Sequence, residues 1–161
     1  MQPPLPFAVR VGWSLYAYPA FGDAFNLLKE AVHKLELEQP WSFEAHPKAK
    51  LLKRVLDLIL NEIPRDPAAA EFILGNTLGA PHRHWRRANF LGRFRLFFRF
   101  SSAHRAIVYV WVNDANTLRK AGSRTDPYAI FIRRLRESDP PSGWDDLFRK
   151  AKAKIHLHSE E

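Results

Sequence analysis

The spacing of apolar residues divides the chain into an early helical part and a later strand-forming part. Residues 7 to 18, FAVRVGWSLYAY, mix β-branched and aromatic side chains and end at Pro19, which predicts a short strand. Between residues 23 and 38, Phe25, Leu28, Val32 and Leu35 recur at three- and four-residue spacing, as one face of an amphipathic helix requires. Between residues 47 and 63, Leu51, Leu52, Val55, Leu56, Ile59 and Leu60 form a second broad apolar face, and Pro64 stands just past it as a stop signal. Joined by QPWSFEAHP, the two segments predict an N-terminal helical hairpin.

Beyond Gly75 and Gly79 the period falls to two. Strands are predicted around residues 85 to 90 and 93 to 100, and the nearly continuous apolar run AIVYVWV, 106 to 112, suits a central strand buried on both faces. Short connections make consecutive antiparallel strands the economical topology. A helix then opens in RTDPYAIFIRRLRES, where Thr125 or Asp126 can cap and Pro127 fits the first helical position. Tyr128, Phe131, Ile132 and Leu135 mark its apolar side, and a last helix is predicted from about 142 to 157. The expected fold class is α+β in a single domain over residues 1 to 161, with C-terminal helices following a twisted antiparallel sheet.

The segment GRFRLFFRF, 92 to 100, carries two messages at once. As a strand it buries Phe94, Leu96, Phe98 and Phe100 on one face and shows Arg93, Arg95 and Arg99 on the other. Charge makes that row meaningful. Of the net +8, the stretch from Phe72 to Asn113 holds seven arginines, no lysine and no acid, so the basicity is a patch. Arginine alone favours bidentate phosphate recognition and stacking on bases, and nucleic acid is the commonest polyanion to meet such a face.

Other chemistries recede. There is no cysteine, which removes disulfides, thiolate catalysis and cysteine-held metals and agrees with a reducing cytoplasm. No apolar stretch reaches the length of a membrane span, and MQPPLPFAVRVGW lacks the pattern of a signal peptide. The pairs His82/His84 and His156/His158 lack a neighbouring third ligand, and the acids are scattered over amphipathic helices rather than gathered for two metals. No glycine-rich phosphate loop and no serine nucleophile elbow occur. Arginine, tyrosine, histidine and amide groups remain, and these suffice for cleaving RNA, whose own 2′-hydroxyl is the nucleophile.

Several of these stretches together resemble a known family. GRFRLFFRF, followed by WVNDANTLR and TDPYAIF, with Gly12, Trp13, Leu15, Tyr16, Ala17, Pro19 and Phe21 near the start, are similar to the YhaV family of bacterial toxins, a branch of the RelE-like ribonuclease toxins. The similarity runs from Gly12 to about Trp144. It implies the toxin of a type II toxin–antitoxin system: a metal-independent mRNA endoribonuclease that inhibits translation, with a PrlF-type antitoxin as partner and no cofactor. It also implies a RelE-like fold, with two N-terminal helices packed on a twisted antiparallel sheet. Carried over by position, the resemblance makes Arg95, Arg87, Arg119 and Tyr128 the catalytic candidates and Arg86, Arg93, Arg99, Asn116 and Arg124 the RNA-binding ones. Asn89 departs from the lysine common at its place, and Ala115 from an acid. A non-catalytic inhibitor that grips RNA or the ribosome stays open as the alternative, because the same arginines serve either task.

Overall fold

The computed structural model describes residues 3–114 and 126–157. Its elements run β1 Ala8–Arg10, β2 Trp13–Ala17, α1 Pro19–Glu38, α2 Pro47–Asp57, β3 Arg86–Phe90, β4 Phe94–Ser101, β5 Ala106–Val112, α3 Pro127–Arg136 and α4 Trp144–Arg149. The five strands form one open sheet in the order β1-β2-β5-β4-β3.

That order corrects the expectation of a wholly antiparallel sheet, for β2 runs parallel to β5, pairing Leu15 with Ile107 and Tyr16 with Val108. Parallel neighbours need a long connection, and here α1, α2 and the β3–β4 hairpin all lie between the paired strands. Apolar periodicity reports burial, not strand direction. The single strand predicted over 7 to 18 is a hairpin, because Val11 (φ 53°) and Gly12 (φ 79°) both enter the left-handed region and reverse the chain. A Cβ on Gly12 would lie 3.1 Å from the Arg105 guanidinium, so glycine also leaves room for the neighbouring turn.

Helix α1 begins four residues earlier than its apolar repeat suggested, since Pro19 takes the first helical position after extended Tyr18. Helix α2 continues through a π-helical turn, Leu58–Glu62, into a last turn, Ile63–Arg65, so Pro64 lies inside its widened end. Both helices cover one face of the sheet. Phe21, Phe25, Val55, Leu58 and Ile59 meet Leu15, Leu96, Phe98, Ile107 and Tyr109 there in one core. The buried Tyr109 hydroxyl donates to the Ile59 carbonyl at 2.7 Å, and burial pushes its pKa well up.

The opposite face is covered by α3 and α4, through Phe131, Leu135 and Leu147 against Tyr16, Phe97, Val108 and Val110. Asp126 is the cap of α3, its side chain accepting from the Tyr128 amide. The final helix is much shorter than predicted: α4 spans six residues, and 151 to 157 leave it without helical structure. Backbone partners explain this. Ala153 donates to the Ala17 carbonyl, while Asn26 and Lys29 of α1 donate to the carbonyls of Lys154 and His156, replacing bonds that a helix would have made internally. Gly22 permits the approach, since a Cβ there would meet that of Ala153 at 2.5 Å. No helix of the described residues is long and apolar enough to cross a membrane.

Candidate nucleic-acid interface

Strand β4 does not present a continuous row of arginines. Phe97, between Arg95 and Arg99 on the same face, is fully buried, with the ring of Phe131 stacked on it at 4.2 Å and 9°. Helix α3 therefore crosses the middle of that face and separates the two arginines. Arg93 precedes the strand, in the turn between β3 and β4, rather than belonging to the row. Nor are both faces of the strand alternately dry and wet: Leu96, Phe97 and Phe98 are all at 0% exposure because helices cover each side.

Arg99 is drawn inward. Its guanidinium lies over the rings of Trp85 and Trp144, at 5.6 and 5.7 Å, and donates to the Ser142 carbonyl at 2.5 Å. Burial, helped by nearby Arg86, lowers its pKa to about 10. This side chain ties the α3–α4 connection to the sheet. His84 sits in the same cluster and has a lowered pKa, from burial first and then from Arg99, despite a hydrogen bond to the Ser142 backbone. The ring of His82 reaches Ser142 Oγ at 3.4 Å. Arg86 points to the other face, opposite Phe98, and stacks over Phe100 at 5.6 Å.

On the far side of Phe131 the remaining groups gather. The ladder sets Arg87 opposite Phe97 and Asn89 opposite Arg95, so these four side chains share one face of the β3–β4 hairpin. Tyr128 meets the ring of Phe97 edge-on, with centroids 5.7 Å apart. Among the described residues, the Arg95 guanidinium bonds only to the backbone carbonyls of Gly92 and Phe94, and that of Arg87 only to the carbonyl of Ile73. Among the described residues the buried Nε of both finds no partner, and no carboxylate pairs with Arg86, Arg87, Arg95 or Arg99. Two partly exposed guanidinium groups on one face have the chemistry to receive an anion.

Asn113 holds this end of the hairpin in shape. It is 2% exposed, accepts from the Arg95 amide at 2.6 Å and donates to the Arg93 carbonyl at 3.1 Å. Arg119, Asn116 and Arg124 lie outside the described residues. Among those described, no group of three or more His, Asp or Glu side chains could hold a metal ion. An apolar cleft of about 600 Å³ opens between α1, α2 and the start of β4, but no arginine lines it.

Comparison with known proteins places the chain in a family. Residues 15–152 match a family described as a toxin with endonuclease activity, of a toxin–antitoxin system, Toxin_YhaV. The chain is 37% identical over 149 residues to the ribonuclease toxin YhaV of Escherichia coli strain K12, covering 91% of this chain and 97% of that protein. It is 37% identical over 146 residues to the toxin YhaV of Escherichia coli O6:H1, covering 89% and 95%. The chain belongs to the YhaV toxin family. The matched span runs from within β2 through α4, and so includes both halves of the divided arginine face. An endonuclease of this family acts within a toxin–antitoxin system, so an antitoxin is its partner. No solved structure matches the chain.

Proposed function

We propose that the protein is a metal-independent endoribonuclease that cuts mRNA and thereby inhibits translation. The observation that carries this reading is the pair Arg87 and Arg95, partly exposed on one face of a hairpin, with no carboxylate partner among the described residues. In the reaction the 2′-oxygen of RNA attacks the adjacent phosphorus as its proton passes to a base. The bond from phosphorus to the 5′-oxygen breaks, and that oxygen takes up a proton. A 2′,3′-cyclic phosphate and a 5′-hydroxyl result. Arg95 and Arg87 hold the non-bridging oxygens as charge grows on them, which is where fixed cations lower the barrier most. Tyr128, beside Phe97, is the proton-transfer group within reach of that face. Arg119, Asn116 and Arg124 keep the substrate-contacting roles that family resemblance implies, and Arg93 adds positive charge at the hairpin turn.

The RelE-like arrangement, with α1 and α2 as a hairpin behind the sheet, belongs to the same proposal. So does a PrlF-type antitoxin, whose acidic groups would neutralise the Arg87/Arg95 pair. The test is incubation of purified protein with end-labelled mRNA in EDTA, with and without ribosomes, followed by analysis of the new ends. Cleavage leaving cyclic phosphate ends is expected. Cleavage lost in EDTA and restored by magnesium would overturn the mechanism, and inhibition of translation by intact, bound RNA would favour the non-catalytic reading.

A further inference from the structure

The ladder between β4 and β5 is irregular at one place. Leu96 pairs with Val112 and Phe97 with Trp111, but Phe98 pairs with Tyr109, so Val110 is an extra residue in β5. In regular alternation Trp111 would follow Ile107 and Tyr109 onto the α1/α2 face. The bulge turns it over, leaving Val110 and Trp111 on the same face as Phe97 and the arginines. Trp111 is only half-buried there. Its indole lies nearly parallel to Phe97 (5.7 Å, 27°) and to Phe131 (5.9 Å, 19°), two fully buried rings that fix its plane. The pairing of β2 with β5 ends at Ala17 and Tyr109, so among the described residues no strand flanks Trp111 on that side.

An immobilised, partly exposed aromatic plane in one cross-strand row with Arg87 and Phe97, two residues along β4 from Arg95, is what an unpaired base needs. Every base offers a π-face, and proteins that hold single strands combine a cationic track with such planes. We propose that Trp111 stacks a base of the RNA strand beside the bond to be cut, while Arg87 and Arg95 hold its phosphate. The inference rests on the endoribonuclease reading, and it adds a residue that fixes the substrate's register on the sheet. Bulges are used in this way next to sites, to re-aim one side chain without moving the strand.

The experiment uses the full chain, Trp111→Ala and Trp111→Phe, with an RNA carrying one cleavage site mapped for the wild type. Affinity is measured on the same RNA with a 2′-deoxy nucleotide at the scissile position, and thermal midpoints are recorded alongside. Trp111→Ala should weaken binding about tenfold or more while remaining folded at the assay temperature, and Trp111→Phe should recover most of the binding and keep the wild-type midpoint to within a few degrees. Removing one base flanking the cut, as an abasic nucleotide, should weaken wild-type binding by a similar factor and leave Trp111→Ala unaffected further. The stacking role is refuted if Trp111→Ala binds and cuts like the wild type, if every abasic penalty persists in Trp111→Ala, or if both variants lose binding together with their thermal midpoint. Wild-type protein that neither binds nor cuts the RNA refutes instead the reading on which the inference rests.

Discussion

Phe97 and Phe131 stack face to face, with 4.2 Å between ring centroids and 9° between planes, and this contact splits the arginines of β4 into two environments. On one side of it Arg95 keeps donors for a ligand. On the other, Arg99 has closed on two tryptophans and a backbone carbonyl. Residues of one type, four apart in one strand, therefore call for opposite outcomes on substitution.

Arg95→Ala should lower the cleavage rate by about a hundredfold or more, because it removes a donor aimed at charge that develops in the transition state. Its own bonds are to adjacent carbonyls, so the thermal midpoint should stay within the range of a surface change, about 0.5 kcal/mol. Arg95→Lys should recover part of the rate, having the charge but not the fork. Cleavage at the wild-type rate by Arg95→Ala, measured on labelled RNA, removes Arg95 from the mechanism.

Arg99→Ala should instead destabilise the protein by about 2–4 kcal/mol, from the lost hydrogen bond of a charged donor and two stacked rings. Arg99→Lys should be nearly as damaging, since an ammonium cannot lie flat between Trp85 and Trp144. Urea unfolding of both variants decides the matter. A wild-type midpoint for Arg99→Ala would mean that the clamp does not hold in solution.

Asn113→Ala should cost about 1–2 kcal/mol, as it removes the side chain that bonds both the Arg95 amide and the Arg93 carbonyl. Asn113→Asp should be worse than its size suggests, because a carboxylate accepts from the amide but offers the carbonyl no donor. Chemical denaturation gives the stability, and amide hydrogen exchange at Arg95 should report the loosened hairpin directly.

Acid should weaken the fold through His84. Its folded pKa lies below the ordinary value of about 6.5, so on acidification the unfolded chain takes up this proton first and stability falls with pH below that point. Burial is the main cause, with Arg99, His82 and Arg86 adding repulsion and the Ser142 backbone opposing it. His84→Gln should flatten the dependence of the thermal midpoint on pH between about 7.5 and 5. An unchanged slope in that variant would assign the acid sensitivity to other groups.

The sequence by itself determined where most helices and strands lie and how the charge is distributed. Helical spacing in Phe25, Val32 and Val55, the cap at Asp126 and the unbroken AIVYVWV run are local signals, and local backbone preference obeys them. The absence of acids from Phe72 to Asn113 concentrated positive charge in that stretch whatever the topology. Tertiary structure decided which cations remain available. The parallel β2–β5 pairing depends on a partner about ninety positions away, so no window of sequence contains it. The C-terminal stretch from 151 to 157 exchanged helical bonds for partners on β2 and α1, a competition that local pattern cannot weigh. The bulge at Val110 breaks the period on which strand reading rests, and so Trp111, which strict alternation assigns to the far side of the sheet, stands among the arginines.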